Sequence, residues 1–237
     1  MLSDLYRVQE QNWWHAGMRR ITLTLLAGAT LPPGPLLEIG CGGGAMLRDL
    51  EAHHPDRLTL GLDLNREGLR GGAAARLFQA DLHDLPLAAG SCAGALALDT
   101  FDQRGVDLPC CLAESWRVLR AEGILLLRVS AYPWLYGPHD IAFGTGKRYT
   151  RGELQAAIVA AGFVIERVSF ANMLLLPLAI LVRLWQQAGR TAVSSELHAG
   201  GPLHPAPAAA LALERRWLQR RDLPAGLSLY VLARKPL

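Results

Sequence analysis

The stretch Leu36-Leu37-Glu38-Ile39-Gly40-Cys41-Gly42-Gly43-Gly44-Ala45 constrains this chain more than any other segment. A short apolar run ends at a glycine-dense turn, and residues 45–53 behind it read as a helix. Apolar runs bounded by breakers are buried strands. Glycines in such a turn adopt positive φ and let the backbone approach a ligand closely. The helix that follows presents N–H groups that have no partner within it. Strand, glycine turn and helix in that order make one unit of an open α/β sheet, whose ligands sit beyond the carboxyl ends of the strands. Gly40, Gly42 and Ala45 also fit the dinucleotide spacing G-x-G-x-x-[GA]. On this segment alone, a nucleoside and a dinucleotide are equally well served.

The flanking pattern repeats the unit. Trp14, Met18, Ile21 and Leu25 recur at helical spacing and predict an amphipathic helix over residues 11–28, with Pro32, Pro33, Gly34 and Pro35 breaking the chain after it. Residues 58–62 read as a strand closing on Asp63, 76–79 as one closing on Asp81, and 93–98 as one closing on Asp99. A helix is expected from near Pro109, with Leu112, Trp116 and Leu119 as its inner stripe, and Glu122-Gly123 turns into a fifth strand at 124–129. Five alternations of strand and helix imply a parallel sheet covered on both faces, doubly wound in the Rossmann manner. Beyond an irregular stretch, Thr150-Arg151-Gly152-Glu153 is a capping box for a helix to about Ala161, with Gly162 at its C-cap. Residues 163–170 read as a strand, and 227–233 as the last one. Between them two helices are expected, near 173–187 and 208–221, with Gly200, Gly201, Pro202, Pro205 and Pro207 in the loop that joins them.

Composition excludes several classes. An apolar fraction of 51% and a charged fraction of 19% describe a packed protein. A net charge of +3, with no dense Lys/Arg run, argues against a nucleic-acid partner, although Arg215, Arg216, Arg220 and Arg221 crowd the C-terminal third. Cys41, Cys92, Cys110 and Cys111 form no CxxC pair and no zinc-spaced cluster, so reduced thiols, a cytoplasmic location and no metal are expected. No basic region followed by an apolar core opens the sequence, so no signal peptide is expected. The longest apolar run, 173–182, stops at Arg183 and falls short of the roughly 20 residues a spanning helix needs. Residues 173–185 remain a candidate for peripheral membrane contact, and oligomeric state is left open.

Glu38-x-Gly40-x-Gly42-x-Gly44 resembles motif I of the class I S-adenosylmethionine-dependent methyltransferases, in which an acidic residue stands two before the first glycine. The resemblance continues. Asp63 falls where the family holds both ribose hydroxyls. Ala80-Asp81-Leu82, followed by Leu85-Pro86 and Gly90-Ser91, is similar to the adenine-contacting segment, with Asp81 accepting from the amino group and the Leu82 N–H donating to the ring. Asp99 and its neighbours Ala97 to Phe101 resemble motif IV, which faces the sulfonium and the acceptor. Glu114-x-x-Arg117-Val118-Leu119-Arg120-x-x-Gly123 resembles the helix and turn before strand five, and the whole is similar to the type 11 group.

The resemblance implies a Rossmann-like, doubly wound, mostly parallel seven-stranded sheet with an antiparallel last strand and a helical insertion before it. Its parts are an N-terminal helical cap (1–34), a cofactor-binding core (35–170), an insertion (171–225) and the last strand (226–237). The implied cofactor is S-adenosylmethionine, at Glu38, Gly40, Cys41, Gly42, Gly44, Asp63, Leu64, Asp81, Leu82 and Asp99. Trp13-Trp14 and Arg19-Arg20 look like a variant with a tryptophan-rich helix over the cofactor, one arginine meeting the methionine carboxylate. Gln103 departs from the histidine often found there. Asp102, His139, Asp140 and Tyr149 are candidates for a base, and none is assigned. The expected reaction is methyl transfer to a small-molecule acceptor, a lipid-like one included. An NAD(P)-dependent oxidoreductase and a non-catalytic cofactor-binding module are the alternatives.

Overall fold

A computed structural model describes residues 12–71, 76–187 and 205–237. Helix α1 (Trp13–Leu26) starts at Asn12, whose side chain accepts the Trp14 N–H, and buries Met18, Ile21, Leu25 and Leu26. Strand β1 (Leu36–Ile39) is buried along its whole length and runs through the glycine turn into α2 (Ala45–His53). Strand β2 (Thr59–Asp63), the short α3 (Arg66–Gly71) and β3 (Leu77–Gln79) follow. Strand β4 (Cys92–Leu98) leads to α4 (Leu108–Val118), where Asp107 caps the N-terminus and Pro109 sits in the first turn as its missing N–H permits. Strand β5 (Leu119–Ser130), a 3₁₀ turn (Pro133–Leu135), α5 (Pro138–Ala142), α6 (Arg151–Ala160) and β6 (Val164–Ala171) complete the core. Helices α7 (Leu176–Gln187) and α8 (Pro205–Leu218) precede β7 (Ser228–Arg234).

The seven strands lie in the order β3-β2-β1-β4-β5-β7-β6. Strands β1 to β5 pair in parallel, and β7 runs antiparallel between β5 and β6. The fold class expected from the sequence is thus the one observed. The chain order reverses between β1 and β4, and the carboxyl ends at such a reversal are where an open α/β sheet takes its ligand.

Several local expectations need correction. Strand and helix do not alternate strictly, because β3 and β4 are joined by an irregular loop, residues 80–91, and not by a helix. Strand β5 begins at Leu119, directly after α4, and turns at Glu122, which takes φ 63°. The second insertion helix starts at Pro205, three residues before the expected 208, since Pro205 and Pro207 both fit a first helical turn, where an N–H has no acceptor to lose. Gly200, Gly201 and Pro202 lie outside the described residues.

The insertion is fastened to the sheet by Glu214 of α8. Its buried carboxylate accepts the N–H of Asn172 at 2.7 Å and of Leu174 at 2.8 Å, just past β6. Burial raises its pKa, and these bonds partly restore the charged form. At the same corner a Cβ on Gly226 would lie 2.2 Å from the carbonyl oxygen of Ala171. That oxygen belongs to backbone paired with β7, so it has nowhere to move. Gly226→Ala is expected to destabilise the protein by about 1–3 kcal/mol, read as a lower urea midpoint. An unchanged midpoint would show the corner to be looser than described.

Candidate active site

The glycine turn sits at the reversal. Gly40, Gly42 and Gly44 take φ 77°, 50° and 76°, all in the left-handed region that a side chain resists. At Gly40 there is a second requirement. A Cβ would stand 2.3 Å from the Thr100 hydroxyl, which donates to the carbonyl of Ile39 at 3.1 Å and so ties the end of β4 to the end of β1. Cys41 is buried, and desolvation raises its thiol pKa, so it is a packing residue of the turn and not a nucleophile.

Glu38, the residue before Ile39, is 5% exposed, and its Oε2 has no hydrogen-bond partner among the described residues. Burial pushes its pKa to about 8, against the opposing pull of Arg128 and with a further push from Asp63. A carboxyl group left this way at a strand end fits a cationic ligand group, because such a group would supply both the missing donor and the missing charge.

Asp63 ends β2 beside the turn. One carboxylate oxygen accepts the Gly42 N–H at 2.8 Å, and the other accepts the Asn65 N–H at 2.7 Å. Each oxygen keeps a second lone pair for a ligand hydroxyl. The next residue, Leu64, is 63% exposed, with its carbonyl accepting from Gln79. Asp81 lies at the far end of the row, after β3. Its Oδ1 accepts both the backbone N–H and the Nδ1–H of His83, at 2.9 and 2.7 Å, and these bonds lower its pKa. The Leu82 N–H takes no acceptor among the described residues. The loop beyond is clasped by α4. Glu114 accepts the Leu85 N–H at 2.8 Å, while Arg117 pairs with Glu114 and donates to the carbonyls of Leu85 and Leu87.

Asp99 stands just past the end of β4. Its backbone takes φ 55°, and its carboxylate makes a two-point pair with the guanidinium of Arg128, at 2.8 and 2.6 Å. Arg128 is buried on β5, donates also to the Tyr230 hydroxyl at 3.1 Å, and lies under the Trp14 ring at 5.6 Å. Burial works against its charge, but Asp99 and Tyr230 outweigh it and keep the group protonated. Arg19 pairs with Asp49 at 2.7 Å and acts on Glu38 through space.

The four base candidates separate. Asp140 is buried between Arg148 and Arg183, at 2.8 and 3.3 Å, and accepts the Gly137 N–H, which makes it a structural anion. The Tyr149 hydroxyl reaches the Phe101 carbonyl at 3.4 Å, and burial raises its pKa. His139 lies against Phe143, with ring centroids 4.4 Å apart. Asp102 lies in the turn after β4. Its Oδ2 accepts the Ser130 N–H at the end of β5, its Oδ1 is buried without a partner, and burial followed by the charge of Asp99 raises its pKa. Gln103 donates to the Asp99 carbonyl at 2.9 Å, so at this position the side chain braces a turn.

Sequence reasoning named Thr100 only within the motif IV stretch, and it missed Arg128 and His83. For Arg128 a signal was present, since an arginine inside Ile-Leu-Leu-Leu-Arg-Val breaks an otherwise apolar central strand. Among the described residues no group of ligands could hold a metal ion, and no helix is long and apolar enough to cross a membrane.

This strand order with its antiparallel last strand is that of the class I methyltransferase fold. Residues 37–127 match the model of the methyltransferase domain family. No curated protein sequence matches the chain significantly. Among solved structures, the Haloferax volcanii complex of a methyltransferase and its activator contains a chain similar at a TM-score of 0.60 and 17% identity, over 92% of this chain and 90% of that one. Geranyl diphosphate C-methyltransferase of Streptomyces coelicolor, crystallised with Mg2+, geranyl diphosphate and S-adenosylhomocysteine, is similar at 0.57 and 18%, over 91% and 78%. The [4+2]-cyclase SpnF is similar at 0.60 and 20%, over 94% and 83%.

The buried Glu38 gives the free protein a pH signature. Its carboxyl keeps its proton in the folded state up to about pH 8, whereas the unfolded chain loses it near pH 4.5. Between those values the folded state binds more protons, so stability falls as pH rises. Glu38→Gln should remove this slope, with a difference between variant and parent on the order of a few kcal/mol by pH 8. Parallel urea curves for the two proteins at pH 5 and pH 8 would contradict the buried acid.

Proposed function

We propose that the protein transfers a methyl group from S-adenosylmethionine to a small-molecule acceptor. The observation that carries this reading is the row of acidic positions along consecutive strand ends. Buried Glu38 has an unsatisfied oxygen, Asp63 is bonded to the glycine turn, and Asp81 has one carboxylate oxygen engaged and one left over. These match the ammonium, the ribose hydroxyls and the adenine amino group of one ligand in linear order. A dinucleotide has no ammonium to offer Glu38.

Bound there, S-adenosylmethionine supplies a methyl group activated on a sulfonium. The residues of the chain bind and orient. Asp63 would accept two hydroxyls, Asp81 the amino group, and the Leu82 N–H would donate to the ring. Glu38 would change from a neutral acid to a carboxylate as it meets a cation, since an opposite charge nearby favours the ionised form. Transfer from a sulfonium is an in-line displacement, helped mainly by placing acceptor and donor in line. Asp99, tied to Arg128, would shape the wall of the site through its backbone.

On the acceptor side, exposed Ile141 and Phe143 near α5 stand beside α7, whose Arg183 reaches Asp140 and whose Leu178, Leu181 and Trp185 are exposed. These surfaces support an apolar, lipid-like acceptor. The likeness to a cyclase is a reminder that this fold does not determine the reaction. All four cysteines are free thiols, which supports a reducing, cytoplasmic setting.

Isothermal titration tests the reading. S-adenosylhomocysteine is expected to bind and NADH to give no heat, and Asp63→Ala should weaken the former at least about tenfold, one charge-assisted contact being worth that much. Binding of NADH alone, or of neither, would refute the reading, and an unchanged affinity for Asp63→Ala would take Asp63 out of the ribose role.

A further inference from the structure

We infer that His83 is a positioning residue of the adenine end of the site, which aims Asp81 by clamping it to helix α4. The inference rests on the reading that Asp81 accepts from the adenine amino group. Asp81 needs such a device. It follows a three-residue edge strand, no helix comes after it, and its side chain is 55% exposed. Left alone, a carboxylate on such a loop samples several rotamers, and each one fixed on binding costs affinity.

The two nitrogens of the His83 ring have different partners. Nδ1 lies 2.7 Å from Asp81 Oδ1, and Nε2 accepts the N–H of Asp107, the capping residue of α4, at 3.0 Å. Only the neutral ring with its proton on Nδ1 satisfies both, donating at one side and accepting at the other. The backbone of the same residue adds two bonds. Its N–H donates to Asp81 Oδ1 at 2.9 Å, and its carbonyl accepts the Cys110 thiol of α4 at 3.5 Å. Both donors from His83 therefore fall on one oxygen of Asp81. The other oxygen, Oδ2, has no partner among the described residues, and neither has the Leu82 N–H. One free acceptor and one free donor on adjacent residues are what the amino group and ring nitrogen of an adenine edge require.

The opposite end of the loop is fixed independently, by Glu114 and Arg117 gripping Leu85 and Leu87. Helix α4 thus holds the loop at two points, and the ligand-facing atoms lie next to the His83 clamp. His83 occupies the carboxylate oxygen that the ligand does not use and presents the one it does.

The test is titration of S-adenosylhomocysteine into the full-length protein and its variants Asp81→Ala, His83→Ala, His83→Asn and the Asp81→Ala/His83→Ala double. An asparagine amide reaches roughly where Nδ1 does, so it keeps the donor to Asp81 while losing the acceptor for Asp107. We expect His83→Ala to weaken binding about three- to tenfold, the cost of fixing on binding one side chain that His83 no longer holds. His83→Asn should recover most of it, and the double variant should bind no worse than Asp81→Ala alone. S-inosylhomocysteine, which has a carbonyl where adenine has its amino group, should bind weakly and be indifferent to His83→Ala. If Asp81→Ala leaves the affinity unchanged, the adenine role of Asp81 falls, and the inference with it. If Asp81→Ala weakens binding while His83→Ala does not, or if the two effects simply add, only the inference is overturned. Failure of His83→Asn to rescue, with both His83 variants unfolding earlier than the parent, would likewise overturn it and reduce His83 to a docking residue for α4.

Discussion

A positive charge buried in the middle of the sheet governs how the site is assembled. Arg128 projects from β5, where the strand is otherwise apolar, and the protein has to compensate it from several directions. Asp99 comes from the turn after β4, Tyr230 from the antiparallel β7, and Trp14 from α1. The Tyr230 hydroxyl is also hydrogen-bonded to the Thr22 hydroxyl of α1, at 2.9 Å. Three elements that are remote in sequence are thereby held to one guanidinium at the carboxyl edge of the sheet. Removing one member of such a buried pair costs about 3–5 kcal/mol because the other is left uncompensated. The strained φ of Asp99 is consistent with that demand: the backbone takes a disfavoured conformation so that the carboxylate can meet the arginine fork squarely.

That charge also bears on the acid two strands away. Glu38 stays largely neutral because burial outweighs the attraction of Arg128. Arg128 is already paired with Asp99, so its field at Glu38 is partly spent. A site that keeps an acid neutral until a cation arrives differs from one lined by a permanent carboxylate. Under the proposed function it would discriminate against neutral ligands by leaving them beside an unsatisfied polar group, and it would accept an ammonium by releasing a proton.

How far this was legible in the sequence depends on how far apart the interacting residues lie. Glu38, the glycines and the strand ends at Asp63, Asp81 and Asp99 stand out because each is a local punctuation mark, an acid or glycine closing an apolar run. The doubly wound sheet follows from the same marks, since strand and helix periods are local. The partners of those residues are another matter. Asp99 and Arg128 are 29 positions apart, and Asp107 and His83 are 24. No periodicity joins them, so the sequence identified Asp99 as a site residue while leaving its carboxylate's partner invisible. The start of α8 was misplaced for a related reason. Pro205 and Pro207 read as loop by their breaking tendency, but a helix's first turn is where that tendency carries no cost.

The two halves of the candidate site are built on different principles. The half formed by β1, β2 and β3 uses backbone groups and carboxylates at strand ends, braced by α4 through Glu114, Arg117 and His83, and it presents polar atoms at fixed positions. The other half, in the proposed reading, would be the segment after β5 and the insertion, where Trp134, Ile141, Phe143, Leu178 and Leu181 are exposed and an ionic cluster, Asp140 with Arg148 and Arg183, is buried as a scaffold. A polar half with a preset hydrogen-bond pattern selects one ligand narrowly. An apolar half selects by shape and tolerates change, because one methylene more or less alters binding by only about 1–3 kcal/mol. Under the proposed function, such a division would keep the donor constant while the acceptor surface is remodelled.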